Sequence, residues 1–283
     1  MMLKILSRLP FRVLYLLSDF IFFVGFHLLR YRRKIVWKNL IQSFPEKTGK
    51  EIKRIEKGFY KNLCDYAVET LALLTISREE LTKRMIFKNP EVIRSFTDKN
   101  QSVIIFASHQ FNWEWLLAAG SFSLAVNIDF VYQAQSSNLF NQFLLFCRTR
   151  FGAYPIQREH VAREVVKRRN VVRGIAMISD QFPGLASDKR YWTTFLHQDT
   201  AFFQAINQVA VLTQYPAFFA AIKKNGRGFY EIDLILIAQP PYNKQTFHVV
   251  DQYAKVIEAA IAHHPENWLW SHKRWKKPRL SGE

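Results

Sequence analysis

Apolar and polar positions along the chain repeat with two periods. Val103-Ile104-Ile105-Phe106-Ala107 is an unbroken apolar run rich in β-branched residues and predicts a buried strand. Similar runs predict strands at Ile128–Tyr132, Ile175–Ser179, Ala217–Ile222 and Phe229–Ile237, with a short one at Met85–Phe87. Asn225-Gly226-Arg227-Gly228, between the last two long runs, has hairpin composition. Helical spacing appears at Ile52, Ile55, Phe59, Leu63, Tyr66, Val68 and Leu71, which predicts one long helix over residues 51–74. Ser77 followed by Glu80 reads as a capping box opening a short helix. Further helices are predicted over 90–96, 139–151, 161–169, 201–212 and 249–262. In the second, Phe140, Phe143, Leu144 and Phe146 are expected on the buried side, with Gly152 ending the helix. Strands alternating with helices predict an α/β fold.

The N-terminus breaks this alternation. Residues 11–29 are nearly all apolar but include Arg12, Asp19 and His27. Lys4 and Arg8 precede the stretch, and Arg30, Arg32, Arg33 and Lys34 follow it. A spanning helix needs roughly 20 apolar residues, so the length is marginal. A basic run follows where a cleavable signal peptide would have small residues. The pattern predicts a helix lying in or dipping into one leaflet, its basic flanks at anionic headgroups. A buried amphipathic helix is the alternative. The organisation expected is an anchor over 1–34 and a catalytic domain over 35–283.

Candidate chemistry gathers at predicted strand ends, where open α/β sheets place ligands. After Val103–Ala107 comes Ser108-His109-Gln110-Phe111-Asn112-Trp113-Glu114-Trp115, with Asn112 a candidate N-cap for the next helix. His109 can take a proton near neutral pH, and Glu114 can fold back to orient it. Phe111 and Trp113 can shield the pair from water. A hydrogen-bonded histidine beside an unrelated helix-start glutamate is the plainer alternative. The run 175–179 ends in Asp180-Gln181, and the two strand ends meet in one pocket if the strands are neighbours. Arg148 and Arg150 in the last helical turn and Arg158 after a short predicted strand put three guanidinium groups within eleven residues, suited to a phosphate or an oxyanion, or simply solvated. Arg163, Lys167, Arg168 and Arg169 make a basic helix that docks an acidic carrier or headgroups, or faces water. No His-Glu-x-x-His, Walker loop or G-x-G-x-x-G after a strand is present, so no metal or cofactor is expected.

Composition sharpens the choice of partner. The net charge of +17 attracts polyanions. Twenty-five phenylalanines exceed what a soluble core of this size needs and point to lipid or acyl chains. The aromatics lie in apolar runs rather than in an RNA-binding signature, so nucleic acid is not expected. Cys64 and Cys147 lack metal or redox spacing and fit a reducing compartment. The tail 265–276 interleaves tryptophan with basic residues, suiting either a membrane interface or capping of the core.

Taken together, these residues resemble a known family. The ordered set is His109-x4-Glu114 within His-x-x-Asn-Trp-Glu, Arg-x-Arg-Phe-Gly at 148–152, Asp180-Gln181-x-Pro183-Gly184, Phe195-Leu196 with Thr200, and Trp268-Leu269-Trp270-x-His272-x-Arg274-Trp275-Lys276. It is similar to the bacterial lipid A biosynthesis acyltransferases of the lysophospholipid acyltransferase superfamily, over nearly the whole chain. The segment before residue 75 resembles versions from the Bacteroidetes group. The resemblance implies a glycerol-3-phosphate-acyltransferase-like α/β domain with a mixed central sheet flanked by helices, at the cytoplasmic face of the inner membrane. It implies transfer of a fatty acyl chain from acyl carrier protein to a hydroxyl of a phosphorylated glycolipid. His109 would be the general base and Glu114 its partner, with Arg148 or Arg150 as the functional arginine. Asn112, Trp113, Asp180 and Gln181 would line the substrate site. His197 and Ala205 stand where many members have Gly. A different lyso-lipid or aminolipid acceptor, and a non-catalytic basic membrane-binding protein, are the competing readings.

Overall fold

The computed structural model describes residues 2–279; residues 1 and 280–283, the outer ends of the two predicted regions, lie outside it. Its centre is a seven-stranded mixed sheet. In chain order the strands are β1 (Met85–Phe87), β2 (Val103–Ala107), β3 (Asn127–Tyr132), β4 (Tyr154–Gln157), β5 (Arg173–Ile178), β6 (Arg190–Phe195), β7 (Gln198–Phe203), β8 (Ala217–Gly226) and β9 (Phe229–Ala238). The sheet order is β1-β9-β8-β2-β5-β3-β4, with only β8–β9 antiparallel, and β6 pairs with β7 apart from it. This is the α/β fold that the apolar runs predict, with the mixed sheet flanked by helices that the resemblance implies.

The two long runs are neighbours. β2 and β5 pair in parallel from Val103 opposite Gly174 to Ala107 opposite Ile178. Every residue of β2 is buried, as a central parallel strand covered on both faces requires. Gly174 permits that contact, because a Cβ there would lie 2.8 Å from Ile105 Cδ1 and 3.1 Å from Ile128 Cδ1. The helix His248–His263 covers one face and places Tyr253 at the strand ends. Its hydroxyl donates to the Ala107 carbonyl (2.7 Å) and accepts from the Ser179 amide (3.0 Å).

Three predictions need correction. Residues 201–203, expected to open a helix, end the strand β7, and the helix there runs Ala205–Thr213. The hairpin is legible only in hindsight, because its turn is Leu196-His197, at φ 50° and 63°, without the usual Gly or Asn. The helix Asn138–Thr149 buries Leu144 and Cys147, leaving Phe140 and Phe146 exposed on the face expected to be internal. In the basic helix Val161–Lys167 and the turn after it, Arg168 points inward, to both oxygens of buried Asp129 (2.9 and 3.0 Å). The tail tryptophans cap the core, since Trp268 and Trp270 are buried.

The N-terminal helix Phe11–Phe22 continues as a π-helix over Phe23–Leu28. Residues 11–28 are long and apolar enough to cross a membrane (mean hydropathy 1.6), and only 22% of them are buried. Leu14, Ser18, Phe22 and Phe26 face inward, while Leu16, Phe20, Phe23, Leu28 and Leu29 are exposed. The inner side rests on the long helix Gly49–Ala72. Ser18 Oγ donates to Asp65 (2.8 Å), and Tyr15 donates to the buried carboxylate of Glu69 (3.0 Å).

Glu69 also accepts from Tyr230 on β9 (2.8 Å) and from the Asn112 side chain (2.8 Å). Burial pushes its carboxyl above the ordinary value, opposed by Lys224 and by the Asn112 and Tyr230 donors. One carboxylate therefore ties the N-terminal helix, the sheet and the loop after β2. Glu69→Ala leaves Tyr15 and the buried donors Tyr230 and Asn112 without their acceptor and is expected to destabilise the protein by about 3 kcal/mol in urea unfolding. An unchanged midpoint would refute this role.

Candidate active site

The loop from Ser108 to Asn112 leaves the buried end of β2 and turns into the helix Trp113–Ser123. Asn112 Oδ1 accepts from the Trp115 amide (3.0 Å), the predicted N-cap. Because its Nδ2 is held by Glu69 and the residue is wholly buried, Asn112 positions the loop and does not line the cavity, a correction to its assignment as substrate-binding. The C-terminal tail holds the loop from the other side. Phe111 donates to the Asn267 carbonyl (2.9 Å), and Leu269 donates to the His109 carbonyl (3.1 Å).

Parallel pairing of β2 and β5 brings His109 and Asp180 together. His109 Nδ1 lies 2.5 Å from Asp180 Oδ1, and its backbone amide donates to Oδ2 (2.8 Å). The Trp268 indole donates to the same Oδ2 (2.7 Å). Burial alone would raise the Asp180 carboxyl, but the His109 charge and these hydrogen bonds prevail and hold it below the ordinary carboxylate value. An ionised Asp180 assigns the proton to Nδ1 and leaves Nε2 as the accepting nitrogen. Gln181 Nε2 sits 3.2 Å from that nitrogen and donates to it. The Trp113 ring meets the imidazole edge to face at 5.0 Å.

Glu114 has a different partner from the one expected. Its carboxylate is gripped by Arg148, Nε to Oε2 at 2.8 Å and Nη2 to Oε1 at 2.6 Å, and receives the Trp113 indole at 3.1 Å. No hydrogen bond joins it to His109 among the described residues, because this guanidinium fork already holds both oxygens on the far side of Trp113. Burial disfavours the Arg148 charge, yet the Glu114 carboxylate outweighs it and raises the guanidinium above its ordinary value.

The remaining arginines separate. Arg150 donates to the Leu73 carbonyl (2.7 Å) and lines another cavity, of about 500 Å³, rather than the one that His109 lines. Arg158 is at the main cavity but bound to Asp188 and to Gln133 Oε1 (3.2 Å), while Asp188 accepts from the Leu185 amide (2.8 Å). Arg158 thereby secures the loop after Gln181.

His109, Trp113, Glu114, Arg148, Arg158 and Gln181 line one cavity of about 940 Å³. Its polar end is the His109 loop. Its apolar part runs between the helix Trp113–Ser123 and the sheet, past Ile105, Leu116, Gly120, Ile128, Leu234 and Phe87. Such a space suits a hydrocarbon chain whose polar end lies at the imidazole. The sequence reading missed Tyr253 and did not assign Trp268, His272 and Arg274 roles at this site. Their signal was the Trp-x-His-x-Arg spacing of the tail, whose direction into the core no local pattern reports.

Removing one partner of the Glu114–Arg148 pair strands a buried charge. Glu114→Ala or Arg148→Ala is expected to cost about 3–5 kcal/mol of stability, and Glu114→Gln with Arg148→Met about 1 kcal/mol or less. Thermal unfolding of the three variants checks this, and equal losses in all three would contradict it.

The family model for bacterial lipid A biosynthesis acyltransferase matches residues 1–277. Comparison with curated proteins gives no match. A match over nearly the whole chain shows that this chain belongs to the bacterial lipid A biosynthesis acyltransferase family and is an acyltransferase with a lipid acceptor.

Proposed function

We propose that the protein transfers a fatty acyl chain from an acyl carrier protein thioester to a hydroxyl of a lipid A precursor, late in acylation, at the cytoplasmic face of the inner membrane. The observation that carries this reading is a histidine whose Nδ1 is fixed by buried Asp180 and whose Nε2 faces an apolar cavity. The acceptor hydroxyl takes the place of the Gln181 amide at Nε2. It gives its proton to that nitrogen as its oxygen attacks the thioester carbonyl. Arg148 spends Nε and Nη2 on Glu114, and we assign its third nitrogen to the oxyanion. As the carbon–sulfur bond breaks, the imidazolium returns its proton to the departing thiolate. Asp180 stabilises the charged imidazole, and Glu114 keeps Arg148 in place.

The surface supports a membrane setting. The exposed side of the N-terminal helix continues onto the helix Asn138–Thr149, where Lys4 lies over the Phe146 ring at 5.7 Å and Leu139 is 78% exposed. We therefore assign residues 1–34 to an anchor on the anionic bilayer and 35–283 to the acyltransferase domain. Arg163 and Lys167 on the helix and Arg169 in the turn after it are exposed and suit an acidic carrier protein.

The test is acyl transfer in detergent micelles with acyl carrier protein thioesters and a panel of lipid acceptors, read by mass spectrometry. Wild type is expected to add one chain to a lipid A precursor, and His109→Ala to lose about 10²–10⁴-fold in rate while remaining folded. A fully active His109→Ala removes the base assignment. Transfer only to another lyso-lipid removes the acceptor assignment.

A further inference from the structure

The second cavity, of about 500 Å³, shares no lining residue with the one at His109. It lies between the segment joining the short helix Met2–Leu6 to the helix Phe11–Phe22 and the turn that follows Gly49–Ala72. Thr75 Oγ1 ties the two by donating to the Ser7 carbonyl (2.8 Å).

Two guanidinium groups line this cavity, those of Arg8 and Arg150. Arg150 is half-buried and commits only Nη1, to the Leu73 carbonyl (2.7 Å). Its Nε and Nη2 have no protein partner among the described residues, and neither has any side-chain nitrogen of the exposed Arg8. The Arg150 guanidinium lies over the Phe151 ring at 4.8 Å, and Arg78 lies over the adjoining Phe122 ring at 5.2 Å. Glu80 also lines the cavity, but its carboxylate is already paired with Arg84 (2.7 Å). The polar side is therefore cationic. The other side is apolar, formed by Leu9, Phe11, Leu14, Leu74 and Ile76.

The surroundings say what kind of anion fits. Leu3 and Ile5 are exposed just before Ser7 and Arg8, and Val13 and Leu16 are exposed just after them. The free cations thus sit within the apolar surface that the N-terminal helix presents outward. A guanidinium is a flat fork of donors matched to two phosphate oxygens, and basic pockets beside membrane-facing helices hold lipid headgroups. Inorganic phosphate would use the same nitrogens and leave the apolar wall in water. A phospholipid covers both.

We infer that this cavity binds the phosphate of a bilayer phospholipid, with Arg8 and Arg150 on the phosphate oxygens and the apolar wall against the glycerol and first methylenes. The inference rests on the membrane setting proposed above and is independent of His109 as the base. A lipid held there bridges residues 7–14 to the turn at 73–77, so it fastens the anchor to the acyltransferase domain.

The test uses full-length protein in detergent micelles, with dihexanoylphosphatidylglycerol as the soluble phospholipid. Inorganic phosphate and dihexanoylglycerol, which lacks the phosphate, are the comparison ligands. Native mass spectrometry counts bound copies, and thermal midpoints report folding. Wild type is expected to take up one phospholipid saturably and to gain in midpoint. Arg8→Gln and Arg150→Gln should each weaken binding about tenfold, while the charge-matched pair Arg163→Gln with Arg169→Gln binds as wild type does. Equal weakening in that pair assigns the binding to overall charge and overturns the inference. Inorganic phosphate binding as tightly as the phospholipid overturns the lipid as occupant. If Arg150→Gln does not fold, the exposed Arg8→Gln decides, and unchanged binding there overturns the inference. Flotation with phosphatidylglycerol vesicles separates the two readings. Wild type that stays off the vesicles removes the membrane setting and this site with it, whereas wild type that floats while Arg8→Gln and Arg150→Gln bind the soluble lipid normally removes this site alone.

Discussion

Parallel pairing of β2 with β5 in one register sets the geometry of everything at the site. With Ala107 opposite Ile178, the residues just past each strand, His109 and Asp180, meet at 2.5 Å. A slip by one residue would turn every side chain of β2 to the other face and separate them. The register is held from three sides. Gly174 lets Ile105 and Ile128 close over β5, Tyr253 bridges the two strand ends, and the tail pairs with the His109 loop through Asn267 and Leu269. The chemistry thus depends on backbone pairing within the core, and the outer loops act on access.

Two buried carboxylates divide the work at this strand end. Asp180 takes the imidazole, the Trp268 indole and a backbone amide, while Glu114 takes Arg148 and the Trp113 indole. Trp113 stands between them, its ring on His109 and its nitrogen on Glu114. A third carboxylate, Glu69, connects this loop through Asn112 to Tyr15 on the exposed N-terminal helix. Seating of that helix on Gly49–Ala72 and the shape of the His109 loop are therefore mechanically linked.

Much of this was legible in the chain. The apolar runs located six strands of the central sheet, the short strand expected before Arg158 is β4, and the position of His109 and Asp180 just past two such runs pointed to a shared pocket if those strands were neighbours. Sequence cannot say which strands are neighbours, because crossovers choose them. The partner of His109 was misread for a related reason. Glu114 is near in sequence, whereas Asp180 is 71 positions away and reaches the ring through strand pairing. The β6–β7 hairpin was hidden because Leu196 and His197 adopt positive φ without turn composition. The outer face of Asn138–Thr149 was misassigned because helical periodicity shows that a stripe exists and is silent on whether protein or bilayer covers it.

The central claim is that Asp180, rather than Glu114, holds the His109 imidazole. Low-field proton NMR on protein labelled with ¹⁵N-histidine observes that hydrogen bond directly. The account predicts a far-downfield Nδ1–H resonance in wild type that vanishes in Asp180→Asn and persists in Glu114→Gln. Loss of the signal in Glu114→Gln with retention in Asp180→Asn would contradict it.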